Sequence, residues 1–349
     1  MLTPMEGRVR RGAWLGVLTV AVGHLSVDAC AGVWPVYKVL ANIDLRTAGA
    51  IATISTLAGN GLQLAFGPLA DRGHRRLLVG LGVAAAGAVF LFPYASGPAA
   101  LLALVLLASA GSAAFHPAGA GHAGSLRTGR TGLALALYLA GGYLGFAGSQ
   151  LAYSGAFHAL QGRLAPFLAL PLVLGAAFAL AGRAPSDSPL AGRLEPPAGE
   201  HGAIAWGKIG ALFAIQALSA AVGVAVQFLT PEVFGADGST LAMGGAHCLA
   251  TLAGAAALFP AGAARDRFGA RPVLVVANVL AGLSLVLLAF DRGRGPGAAL
   301  SLILVFNFAN AANTVVALAE GTEGLSGSGS SVSALLLGLP WLAAAPAPS

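Results

Sequence analysis

The chain has 349 residues, 57% of them hydrophobic and only 9% charged, where an average soluble chain carries about 25% charged residues. So few charges cannot coat a water-soluble enzyme of this size, and so much apolar side chain excludes disorder, which needs low hydrophobicity and high charge. The formal net charge is +6, and its distribution along the chain points to a membrane rather than to nucleic acid as the partner.

A bilayer-crossing helix needs about 20 apolar residues. Runs of that kind, separated by Gly, Pro and charge clusters, predict eleven spans: 13–39, 47–70, 76–95, 98–123, 131–157, 164–182, 204–231, 239–263, 272–290, 297–319 and 326–345. The first follows Arg8, Arg10 and Arg11 and runs too far to be a cleaved leader. With the N-terminus inside, 14 of the 19 Lys and Arg fall in inner segments and 5 in outer ones, the bias that orients inner-membrane proteins. A multi-pass inner-membrane location with a cytoplasmic N-terminus is therefore expected.

Span one carries Asp28, the one carboxylate deep within a predicted span, with His24 four residues earlier on the same helical face. A charge at mid-bilayer costs at least ~2.5–3.5 kcal/mol on insertion scales, so the pair needs a reason. It reads either as a proton-coupling pair facing a central cavity or as a neutral hydrogen bond that fixes the helix. Cys30 in the same span, and Cys248 in span eight, fit no disulfide framework and no metal-ligand spacing. No metal and no cofactor are expected.

Between spans two and three stands GPLADRGHRR, residues 67–76. Span four contains His116-Pro117, where the proline invites a kink. Span five carries Gln150 and the glycines Gly132, Gly141 and Gly145. Residues 183–203, rich in proline and mixed charge, read as a cytoplasmic linker. The chain then divides into a six-helix half over 1–183, a linker over 184–203 and a five-helix half over 204–349. In the second half Gln216 lies near the middle of span seven and His247 in span eight. Asn307, Asn310 and Asn313 form a stripe along span ten. With His116 and Gln150, the residues Gln216, His247, Asn307 and Asn310 are candidate cavity-lining groups, although for any single amide interhelical glue, worth ~0.6 kcal/mol, is the preferred reading.

Between spans eight and nine stands GAARDRFGAR, residues 262–271. Both loops read G-x-x-x-D-R-x-x-x-R, at the same place in each half. Such an internal repeat marks secondary transporters built from two related halves.

The first loop resembles the G-x-L-a-D-R-x-G-R-R motif of the major facilitator superfamily, matched by Gly67, Leu69, Asp71, Arg72, Arg75 and Arg76, with His74 in place of the second glycine. The resemblance implies an all-α, two-bundle membrane fold of twelve helices, of which eleven are seen. It also implies that these residues, with Asp266, Arg267 and Arg271 of the second loop, form a conformational gate on the cytoplasmic side. GHLSVDACAGVWPVY, AFHPAGAGHAGSL and RTGLALALYLAGGYLGFAGSQ together resemble the fosmidomycin-resistance branch of that superfamily. They imply proton-coupled export of a small polar or amphiphilic compound, a drug among them, by a monomer. Alternatives are an uptake symporter or facilitator of a small metabolite or metal, and a relative that does not transport. No nucleotide-binding loop is present, and a membrane transferase would have no use for the repeated loop.

Overall fold

The computed structural model describes residues 4–126, 128–180, 206–234, 240–290, 295–324 and 329–344. The predicted linker 184–203 lies outside them. Every described element is helical: α1 Pro4–Ala31, α2 Trp34–Leu40, α3 Leu45–Leu69, α4 Arg75–Ala86, α5 Pro98–Ser125, α6 Thr131–Ala159, α7 Ala169–Leu180, α8 Trp206–Phe234, α9 Thr240–Phe268, α10 Ala270–Ala289, α11 Pro296–Gly324, α12 Gly329–Ser333 and α13 Leu339–Ala344. With no water in a bilayer core, a helix is the form that satisfies its own backbone.

Seven stretches among the described residues are long and apolar enough to cross a membrane, and one of these, Arg46–Tyr94, runs through the second and third predicted spans. The shorter apolar helices Ala165–Leu180, Gly207–Gly223 and Ser330–Ala343 fall at predicted spans six, seven and eleven. Local chemistry explains the boundaries. Asp44 caps α3, its Oδ1 accepting from the Thr47 N–H at 2.9 Å. Pro98 opens α5 at a position where its missing donor costs nothing.

Four predicted spans are less regular than a straight α-helix: span three continues from α4 as the 3-10 helix Gly87–Tyr94, and span six begins as the 3-10 helix Ala165–Leu168. Span one breaks at Gly32–Val33, so that α1 and α2 replace a single run. Span eleven contains a π-helical turn, Ala334–Gly338, between α12 and α13. Pro340 has no N–H for the carbonyl four residues back, and the Leu336 carbonyl instead accepts from the Gln216 side chain on α8 at 3.4 Å.

The helices pack as two groups, α1–α7 and α8–α13, that meet where α6 lies on α9 and where α12 and α13 reach α5 and α3. One apolar core runs through both, from Val27, Phe115 and Tyr138 in the first to Leu258, Val315 and Val316 in the second. On α10, Val275, Val276, Val279, Leu283 and Val286 face outward. Leaving them to water would forfeit about 25 cal/mol per Å², and a lipid surround removes that cost.

Candidate functional site

Asp28 lies at the centre of a three-residue cluster. On α1, His24 Nε2 is 3.3 Å from Asp28 Oδ2. On α5, His116 Nε2 is 3.2 Å from Asp28 Oδ1. His116 therefore stands beside the predicted coupling pair. Sequence spacing could not join it to Asp28, because the contact is made between helices. Gly142 on α6 provides the room: a Cβ there would fall 2.5 Å from Asp28 Oδ2 and 2.6 Å from His24 Nε2.

Hydrogen bonding fixes the tautomers. His24 Nδ1 faces the Tyr138 carbonyl at 2.8 Å, and His116 Nδ1 faces the Ser112 carbonyl at 2.7 Å. A carbonyl only accepts, so each Nδ1 carries a hydrogen. In the neutral rings both Nε2 atoms are then bare lone pairs pointed at a carboxylate. Each Nε2···O contact requires a hydrogen, and Asp28 can supply one at most. The cluster is fully bonded when two protons are shared among its three groups. Tyr138 backs it, its ring stacked on His24 with centroids 4.3 Å apart. The three ligand-type atoms lie within 4.8 Å of one another, close enough to hold a metal ion, which the cysteine and histidine spacings along the sequence do not show.

A second set of polar contacts lies at the end of the molecule that carries both Asp-Arg loops. Asp71 Oδ1 accepts from the Ser330 N–H at 3.0 Å, and Oδ2 from the Ser331 N–H at 2.8 Å and the Ser331 hydroxyl at 2.6 Å. Arg75 donates to Asp71 Oδ1 at 2.8 Å and to Ser330 Oγ at 3.0 Å. The loop of the first half thus grips the start of the last helix of the second. The second loop does the reverse. Asp266 Oδ1 accepts from the Gly132 N–H at 2.9 Å and Oδ2 from the Leu133 N–H at 3.2 Å, at the start of α6 in the first half. A carboxylate suits a helix N-terminus, where unpaired N–H groups gather positive potential. Asp71 lies in the link between two spans. Its partial burial opposes the charged form, but the bonds from Ser331, Arg75 and Ser330 outweigh that and hold its carboxyl below the usual range.

The other predicted gate residues are less engaged. Gly67 brings α3 against α12, where a Cβ would meet Ser330 and Ala334 at 3.0 Å. Arg72 and Arg271 are exposed, and Arg267 lies over the Phe268 ring at 5.2 Å. Arg76 is partly buried and interacts with its surroundings. His74, which stands where the superfamily motif has glycine, does not prevent the turn: Gly73 adopts φ +101° one residue earlier, whereas in the second loop Gly269 does so at the motif position with φ +84°. Residues not anticipated from the sequence complete the second loop. Arg265 pairs with Glu320 at 2.6 Å, with Asp266 at 3.2 Å and with Glu323, while Lys208 pairs with Glu320 at 2.5 Å. Their common signal was charge at helix ends, which the orientation argument used only as a sign.

The described cavity candidates of the second half make hydrogen bonds within and between helices. Asn307 donates to the Ile303 carbonyl of its own helix at 2.8 Å. Asn310 donates to the Ser219 carbonyl at 3.2 Å, and Asn313 to the Ser219 hydroxyl at 2.8 Å and to Asn278 Oδ1 at 3.1 Å. Gln216 is buried against Leu336. The side chains of Gln150 and His247 lie outside the described residues.

Comparison with known families decides the class. The Major Facilitator Superfamily model matches residues 17–345. The chain belongs to the Major Facilitator Superfamily. No curated protein matches it in sequence. Among solved structures it resembles the human organic anion transporter MFSD10 (TETRAN), with 20% identity, TM-score 0.69 and coverage of 99% of this chain and 93% of that one. It also resembles an E. coli fucose:proton symporter, FucP, with 13% identity, TM-score 0.67 and coverage of 96% and 95%. FucP in the outward conformation gives TM-score 0.62 at 14% identity, covering 96% of each chain. At these identities the likeness establishes the fold. Family membership makes the protein a multi-pass secondary transporter of small molecules rather than an enzyme.

Proposed function

We propose that this member of the superfamily is a proton-coupled exporter of a small polar or amphiphilic compound, with Asp28, His24 and His116 as the coupling group. One observation carries the reading. Two imidazoles with fixed Nδ1–H tautomers aim bare Nε2 atoms at one partly buried carboxylate, so the bonding of the cluster depends on how many protons it holds. Loading a second proton joins α1 to α5 through Asp28; losing it breaks a contact. That is a direct link between proton occupancy and helix packing.

The two loop latches supply the other half of the cycle. Both close the end of the molecule predicted to be cytoplasmic, which is the outward-facing arrangement. Opening it requires Asp71 and Asp266 to release their helix N-termini. The resemblance of spans one, four and five to the fosmidomycin-resistance branch supports export by antiport. The printed description of FucP as a fucose:proton symporter supports proton coupling on this fold without fixing direction.

The test is transport in reconstituted vesicles with an imposed pH gradient, with fosmidomycin as the first probe among a panel of antibiotics. Asp28→Asn should abolish gradient-driven movement while exchange of substrate down its own gradient survives. His24→Ala and His116→Ala should be milder and should shift the pH optimum, since each leaves the carboxyl in place. Full gradient-driven transport by Asp28→Asn would leave the cluster as a structural tie. Uptake of a divalent transition metal that is lost in all three variants would instead favour a metal as the cargo.

A further inference from the structure

The ring orientations around Asp28 also make the cluster a set of metal ligands. His24 Nδ1 and His116 Nδ1 each donate to a backbone carbonyl, at 2.8 and 2.7 Å. A histidine that binds a metal almost always commits its other ring N–H in this way, which fixes the ring and aims the free lone pair. Both free lone pairs here belong to Nε2, and both face the Asp28 carboxylate. Two imidazole nitrogens and one carboxylate oxygen are a complete protein ligand set for an open zinc site.

The distances agree. Zinc holds such ligands at about 2.0–2.2 Å, so two neighbouring ligands of a tetrahedral site lie about 3.3–3.6 Å apart. The Nε2···O separations are 3.3 Å from His24 and 3.2 Å from His116, close to that length. All three donor atoms lie within 4.8 Å of one another, and among the described residues no other trio of histidine, cysteine or carboxylate side chains comes together in this way. The widest pair has to close by no more than about 1.5 Å to reach the tetrahedral spacing. The side chains of His116 and Asp28 are 18% and 20% exposed, which leaves a side open to an entering ion and to a water as fourth ligand. On another flank Gly142 presents no side chain to Asp28 Oδ2 and His24 Nε2. Charge agrees as well. The fully bonded cluster holds two added protons, and one divalent ion in their place leaves its net charge unchanged. Magnesium and calcium prefer shells of six or more oxygens, whereas imidazole suits zinc, cobalt, nickel and copper.

We propose that His24, Asp28 and His116 bind a divalent transition metal ion, and that the ion stops the transport cycle by taking the place of the shared protons and tying α1 to α5. The binding stands on the geometry alone, and the inhibition rests on the proton-coupled reading. A metal-ligand bond is not released by a proton gradient as a shared proton is, so the helix contact that should break and reform stays closed.

The experiment uses the full chain, purified in detergent without a polyhistidine tag, with cobalt and zinc ions as probes. One cobalt ion per chain should bind with the visible absorption of a four- or five-coordinate site, and zinc should displace it where magnesium and calcium do not. Asp28→Asn and His116→Gln should each weaken zinc binding by more than about a hundredfold, beyond what changes around a site's ligands cost, while Cys248→Ser should leave it unchanged. X-ray absorption by the zinc-loaded native chain keeps the test independent of how the variants fold: it should show two imidazoles and no sulfur. Saturating zinc should also raise the thermal transition of the native chain and not that of His116→Gln. In vesicles with an imposed pH gradient, zinc should halt gradient-driven transport and should not accumulate inside. No bound metal, sulfur ligation, binding indifferent to both ligand variants, zinc carried into the vesicles, or gradient-driven transport that continues with the site filled would each overturn the proposal. Binding is read without substrate or gradient, so a chain that binds zinc at this set yet never couples to protons would refute the coupling reading and keep the metal site.

Discussion

At the first Asp-Arg loop, Asp71 accepts three hydrogen bonds from the start of α12, and Arg75 closes the ring on both partners. At the second, Asp266 accepts two from the start of α6, the longer at 3.2 Å, and shares Arg265 with Glu320 and Glu323. The same motif therefore caps a helix of the other half by two chemistries. The first latch is a charge-balanced pair held mainly by directed backbone bonds. The second is a looser cap backed by a cluster in which three carboxylates face two cations. Salt screens exposed charge most, and Lys208 and Glu323 are the exposed members of the second cluster.

The largest expected effect follows from removing the tighter cap. Asp71→Ala should shift the equilibrium toward the open state at that end by about 2–4 kcal/mol, since it frees two helix N–H groups and strands Arg75. Asp266→Ala should shift it by roughly half as much. Spin-label distances across that end, measured in both variants, would check the order; equal shifts would erase the contrast. Next comes Arg265→Met, which leaves Glu320 and Glu323 beside Asp266 without their shared cation. It should open the second latch by about 1–2 kcal/mol and should reverse the salt dependence of opening, because three carboxylates then face Lys208 alone and salt screens their repulsion, whereas Arg75→Met should change salt dependence less.

Acid gives a second check on the first latch in the same assay. The Asp71 carboxyl is held below its usual range while latched and returns to it on release. Its contribution is therefore complete above the ordinary carboxyl pKa of about 4 and is lost as pH falls toward the depressed value. No loosening of the first latch is expected between neutral pH and about 5. Arg72→Gln should have the smallest effect, within about 0.5 kcal/mol, because the side chain is exposed.

The membrane architecture was legible because lipid imposes a simple rule on composition, and the paired loops were legible because a repeated motif is a one-dimensional signal. His24 and Asp28 could be paired since four residues make one helical turn. His116, Ser330 and Ser331 could not be assigned to their partners, because those contacts join helices far apart in sequence. Asn310 and Asn313 show an ambiguity instead. Amides in apolar runs suggest a path, but Ser219 and Asn278 are close enough to satisfy them. The resemblance to a glycine-bearing turn mispositioned its glycine by one residue, since Gly73 can provide the left-handed conformation from the neighbouring place.

The π-helical turn Ala334–Gly338 has a bearing on how this chain is aligned and edited. A π turn holds one residue more than an α turn, so the segments on either side of it are out of phase by roughly 100° about the helix axis. Ser330 and Ser331 face Asp71, while Gly338 faces Gln63, and the extra residue sets the angle between those two faces. A one-residue gap placed there by an alignment, or a deletion made there by design, would keep every side chain in the helix yet rotate one face away from its partner.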